Sequence, residues 1–113
     1  MDVLAERHAA AARAAHERAG LLRARLGEVA RLLGKRGARR IWLYGSLLPG
    51  RQPHGSSDVD LAVEGLPAAG LMRTLLDVED LIGAEADLVR LEEAGPSLVQ
   101  RILAEGQEID VPR

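Results

Sequence analysis

Between Gly34 and Arg40 the hydrophobic period of this chain changes, and that change calls for a fold in which helices pack on a sheet. Upstream, Leu22, Leu26, Val29 and Leu33 recur along one face of a helix. Downstream, Ile41-Trp42-Leu43-Tyr44 is a short β-prone run, apolar on both faces and stopped by Gly45, the pattern of a strand at a sheet centre. A Pro- and Gly-punctuated stretch, 46–57, leads into Asp58-Val59-Asp60-Leu61-Ala62-Val63, whose alternation sends Val59, Leu61 and Val63 to one face. Pro67 is expected to open a helix bearing Leu71, Leu75, Val78 and Ile82 and closed by Gly83; 86–91 forms a third strand, 96–105 a last helix, and 108–111 a short edge strand.

The expected order is α-β-turn-β-α-β-α-(β), an α/β (α+β) class fold: a small mixed β-sheet with helices packed on one side, preceded by a long N-terminal helix. That helix covers 3 to about 37, with Gly20 and Gly27 as places for a kink; its alanine-rich first half offers little to bury. At 113 residues the chain is expected to be one domain, 1–113, comprising the N-terminal helix (1–38) and a core (39–113). With one Trp, one Tyr and no Phe the core is aliphatic, and a small aliphatic core points toward support from a partner subunit.

Composition removes several functional classes. The absence of cysteine excludes disulfides, thiol catalysis and zinc-thiolate sites. The apolar runs are far shorter than the ~20 residues a membrane helix needs. The opening MDVLAERHAA lacks the apolar core of a secretory signal, so a cytoplasmic location is expected. A net charge of -2 argues against gripping nucleic-acid backbones by bulk electrostatics, although arginines crowd the first forty residues.

Three features at strand ends carry chemistry. Gly45-Ser46 closes a buried strand; a glycine there lets backbone approach a ligand, and a short helical piece after it would aim N–H groups at an anion. Asp58 and Asp60 are two apart on a strand and so share a face, where like charges need a cation between them; oxygen pairs of this kind suit Mg²⁺. Asp87 is the acid inside an apolar strand and reaches the same site if that strand pairs beside the second. Three converging carboxylates can hold two metal ions about 3.5–4 Å apart. The bland alternatives are a turn-capping Asp58, a solvated Asp60 and a solvent-facing edge acid at Asp87. His8 and His16 lack metal-pair spacing, His54 sits in the loop as a solvated side chain, Glu92-Glu93 suits a helix start, and Trp42 belongs to the core.

Together, Tyr44-Gly45-Ser46, Gly50 and Ser57-Asp58-Val59-Asp60-Leu61-Ala62-Val63 resemble the GS-x(about ten)-D-x-D signature of the DNA polymerase β-like nucleotidyltransferase superfamily. The short chain is most similar to its minimal nucleotidyltransferases, the MNT proteins. The tail, with Ala86-Asp87-Leu88-Val89, Gly95-Pro96-Ser97-Leu98 and Ile102-Leu103-Ala104-Glu105-Gly106, resembles MNT antitoxins paired with HEPN toxins. The resemblance covers about 40 to 111. It implies the nucleotidyltransferase fold, with Gly45 and Ser46 holding a nucleoside triphosphate; Arg51 is placed to help. It also implies that Asp58, Asp60 and Asp87 bind Mg²⁺ (two ions), and that Asp87 assists deprotonation of the acceptor. The implied reaction moves AMP from ATP to a hydroxyl on a macromolecule, a HEPN-domain partner; the alternative is a catalytically impaired module that neutralises that partner by contact. Homo- and hetero-oligomers both stay open. Two departures stand out: eleven residues separate Ser46 from Asp58 where ten is usual, and Leu47 stands where many relatives carry arginine.

Overall fold

The computed structural model describes residues 2–48 and 57–112. Helix α1 (Val3–Ala24) and helix α2 (Leu26–Lys35) lead into strand β1 (Arg40–Tyr44), which ends in a single 3-10 turn, Gly45–Leu47. Strand β2 (Val59–Glu64), helix α3 (Leu71–Ile82), strand β3 (Ala86–Arg90), helix α4 (Pro96–Glu105) and strand β4 (Gln107–Ile109) follow. The strands form one mixed sheet in the order β3-β2-β1-β4, with β2 and β3 parallel and β1 antiparallel to both β2 and β4. Among the described residues no helix is long and apolar enough to cross a membrane.

Alternation along the strands divides the sheet into two faces. Ile41, Leu43, Val59, Leu61, Val63 and Leu88 point to one, where they pack with Leu26, Val29 and Leu33 of α2, Val78 and Ile82 of α3 and Leu22 of α1. Trp42 and Ala62 point to the other, against Ile102 and Leu98 of α4. The mixed sheet and its long leading helical segment are as expected. The one-sided arrangement of helices is corrected: α4 covers the opposite face, because Trp42 is too large and apolar to leave uncovered and is only 3% exposed.

Boundaries also differ from expectation, the edge strand running Gln107–Ile109 rather than 108–111. The leading helix breaks at Arg25, between the two glycines rather than at either, where the Arg25 N–H donates to Leu22 O at 3.1 Å and tightens the turn. Gly20 and Gly27 lie exposed inside helices with open space around them. Helix α3 starts at Leu71, not Pro67, because Gly70 takes a left-handed conformation (φ 79°) that turns the chain into the helix. Across the dry face, Arg36 at the end of α2 donates to Thr74 Oγ1 (3.1 Å) and Asp77 Oδ2 (2.6 Å), fastening α2 to α3.

Candidate active site

The register of the sheet builds the site. Tyr44 is paired with Asp60, and Asp60 with Asp87, so the three side chains form a row across β1, β2 and β3. Local sequence dictates the row. Val59 and Leu61 must enter the dry core, which delivers Asp60 to the opposite face; Ala86 and Leu88 do the same for Asp87. Neighbouring strands lie about 4.8 Å apart, so the two acids stand side by side. Asp60 is half-buried and Asp87 is exposed on the edge strand.

Asp60 is seated from two sides. Ser57 Oγ donates to its Oδ1 at 2.5 Å. Against its other oxygen runs the backbone of Gly45, at φ +74°, where a Cβ would collide with Oδ2 and stand 3.1 Å from Cγ. Glycine is required there both for the left-handed conformation and for the carboxylate lying against it. The close approach expected at Gly45 is thus made by a residue of the chain itself. Ser46 follows in the same 3-10 turn, and Leu48 N–H closes it on Gly45 O at 3.2 Å.

Asp58 is held differently. Its N–H donates to Glu85 O at 2.9 Å and its Oδ2 accepts from Glu85 N–H at 3.3 Å, clamping the starts of β2 and β3 together. The same oxygen accepts from the Arg18 guanidinium of α1 at 3.0 Å. The structure therefore brings Asp60 and Asp87 into one row, while the Asp58 carboxylate is engaged by Arg18. Among the described residues no three His, Cys, Asp or Glu side chains are gathered closely enough to share a metal ion. The donor set still fits a hard cation. Among the described residues Asp60 and Asp87, on adjacent strands, pair with no cation, and the guanidinium on Asp58 shows that a positive charge is accommodated there.

Two participants were not foreseen. Tyr44 is half-buried in the row, and its phenol is pushed up to about 12, first by burial and then by the Asp87 and Asp60 carboxylates, with Arg101 of α4 opposing. Its signal was its position two residues after Trp42 and directly before Gly45. Arg18 lies four residues before Leu22, on the continuation of the apolar stripe toward the sheet. Leu47 is buried in the main core at 4% exposure, so the turn carries no cation at that position. Arg23 of α1 donates to Leu47 O at 3.2 Å and ties the helix to the turn. Arg51 and His54 lie outside the described residues. Trp42 is core, as expected, with Arg40 stacked 4.6 Å from its ring centroid. Glu92 and Glu93 do not open a helix: they lie in the turn after β3, where Glu92 accepts from Gly65 N–H at 2.7 Å and Glu93 pairs with Arg90.

The family model described as "Polymerase beta, Nucleotidyltransferase" matches residues 29–110. The chain is 31% identical over 81 residues to "Putative protein adenylyltransferase MJ0435" of Methanocaldococcus jannaschii, spanning 69% of this chain and 86% of that protein. Among solved structures, one described as a putative minimal nucleotidyltransferase is 30% identical, with a TM-score of 0.69 over 80% of this chain and 95% of its own. The MNT antitoxin in a complex with tri-AMPylated Shewanella oneidensis HEPN toxin shares the fold, with a TM-score of 0.61 at 22% identity over 77% of this chain and 70% of that one. A toxin-antitoxin structure with AMP-PNP matches at a TM-score of 0.61 and 25% identity, over 73% and 69% of the two chains.

Proposed function

The chain belongs to the polymerase β nucleotidyltransferase family in its minimal form, and from that premise we propose that it transfers AMP from ATP to a hydroxyl of a HEPN-domain toxin, for which it serves as antitoxin in the cytoplasm. The observation that carries this reading is the pairing of Asp60 with Asp87 beside the Gly45 turn. The curated relative named as an adenylyltransferase and the solved MNT–HEPN complex agree with it.

In this reading Asp58, Asp60 and Asp87 hold Mg²⁺, two ions in the full site, and Gly45, Ser46 and Arg51 receive the triphosphate. Bound there, the metal would neutralise phosphate charge and favour ionisation of the acceptor hydroxyl. The chain's own contribution is placement. Gly45 lets the carboxylate of Asp60 lie against the turn, and Ser57 fixes that carboxylate. Asp87, exposed on the edge strand, is reachable by a hydroxyl borne on a bulky protein and takes its proton. The acceptor oxygen bonds to the α-phosphorus, the bond from that phosphorus to the bridging oxygen breaks, and pyrophosphate leaves with the electron pair.

Incubation with ATP labelled at the α-phosphate, Mg²⁺ and a cognate HEPN protein tests the reading. Label transfer by wild type and its loss in Asp60→Asn support it; an unlabelled partner in the presence of active wild-type complex overturns it. A second reading, neutralisation by contact alone, draws on the buried Leu47 and the guanidinium on Asp58. It predicts that Asp60→Asn still silences the toxin.

A further inference from the structure

We infer that Arg18, from the N-terminal helix, is a triphosphate-binding cation of this site, exchanging its carboxylate partner Asp58 for phosphate oxygens when nucleotide binds. The inference rests on the nucleotidyltransferase reading above and assigns to that site a residue well outside its sequence motif.

Three observations converge on it. First, Leu47, immediately after Gly45-Ser46, is an apolar side chain turned into the core, so the turn itself supplies no positive charge from that position. Second, Arg18 is delivered to the site from 40 residues away and reaches Asp58 Oδ2 at 3.0 Å. Its placement is not that of a wandering surface arginine. The helix around it is anchored by partly buried Ala19, by buried Leu22, and by Arg23 on Leu47 O, so the α1 backbone at 18 is fixed relative to the turn. Residues 2–18 are exposed, and Arg18 meets the start of β2 through the Asp58 carboxylate. Third, the ion pair is exposed on both sides, 57% for Arg18 and 39% for Asp58, and such pairs are weak enough to exchange partners.

The chemistry suits the exchange. A guanidinium carries five donors in a planar fork that matches phosphate oxygens, and its charge persists at all working pH values. A cation arriving with the nucleotide competes for the Asp58 carboxylate, and a triphosphate offers the displaced guanidinium a more highly charged acceptor within the same reach. Arg18 is thus a substrate-binding residue.

Calorimetric titration of the 113-residue chain with ATP, with tripolyphosphate and with adenosine, each in Mg²⁺, tests this. Arg18→Ala is expected to weaken ATP and tripolyphosphate binding about tenfold and to leave adenosine binding unchanged, with Arg18→Lys between the two. Arg13→Ala, further out on the exposed part of α1, is expected to bind like wild type. Equal or tighter ATP binding by Arg18→Ala overturns the inference, since a residue that merely neutralises Asp58 competes with the incoming cation and its removal helps binding. Failure of the underlying reading has a different signature: the wild-type chain then binds neither ATP nor tripolyphosphate, and both proposals fall together. Thermal unfolding of Arg18→Ala within about a degree or two of wild type ties the binding loss to the lost guanidinium rather than to the fold.

Discussion

The two faces of β1, β2 and β3 are made from the same few residues read alternately, yet they do opposite work. On one, Ile41, Leu43, Leu61 and Val63 are at most 1% exposed and hold α2 and α3 to the sheet. On the other, Tyr44, Asp60 and Asp87 stand in a row that sets two like charges on neighbouring strands. The lesson is a division of labour at single-residue resolution. The aliphatic face fixes the geometry, and the acidic row at the end of the opposite face, beyond the Trp42 cluster, accepts an unfavourable arrangement because that packing enforces it.

That contrast can be broken one side at a time. The largest effect is expected for Asp60→Asn, which should lower transfer by about 10³-fold or more while leaving the unfolding midpoint within a few degrees, measured by label transfer and calorimetry. Leu61→Ala, the adjacent residue on the dry face, should do the reverse: about 2–5 kcal/mol of stability lost in urea unfolding, with transfer per folded molecule retained. Should Leu61→Ala silence a molecule that still melts like wild type, the division fails. Gly45→Ala lies on the boundary and should show both losses, about 1–3 kcal/mol from the left-handed backbone together with reduced transfer as Asp60 is displaced.

The smallest effect is spectroscopic. Tyr44 is the lone tyrosine, so its ionisation can be followed by phenolate absorbance without ambiguity, and the midpoint is expected at about 12 rather than near 10. Folding raises this pKa, so the stability Tyr44 contributes is complete below pH 10 and is lost as pH rises from there through 12. Asp87→Asn, removing one of the two carboxylates that push the phenol up, should lower the midpoint; an unchanged midpoint would place Asp87 outside the row.

Much of this was legible in the residues. The alternation of Val59, Leu61 and Val63 announced β2 and its buried face, and the spacing of Asp58 and Asp60 put both acids at the start of that strand. What escaped was what depends on distant partners. Nothing local to Asp58 indicates that an arginine 40 residues earlier will take its carboxylate. The place where the leading helix breaks was obscured because glycine propensity pointed to 20 and 27, while a tightened turn at Arg25 won. The side of the sheet taken by α4 was hidden because Ile102 and Leu98 mark an apolar stripe without saying which face it covers.

The parallel pairing of β2 with β3 has a consequence for errors in folding. Were β3 to slip by a single position, Asp87 would be driven into the aliphatic interior and Leu88 out into water. A molecule with misaligned acids is therefore also a molecule that cannot close its core, so the population divides into chains that are folded with the acids aligned and chains that are open to proteases. Quality control of the fold then doubles as quality control of the chemistry.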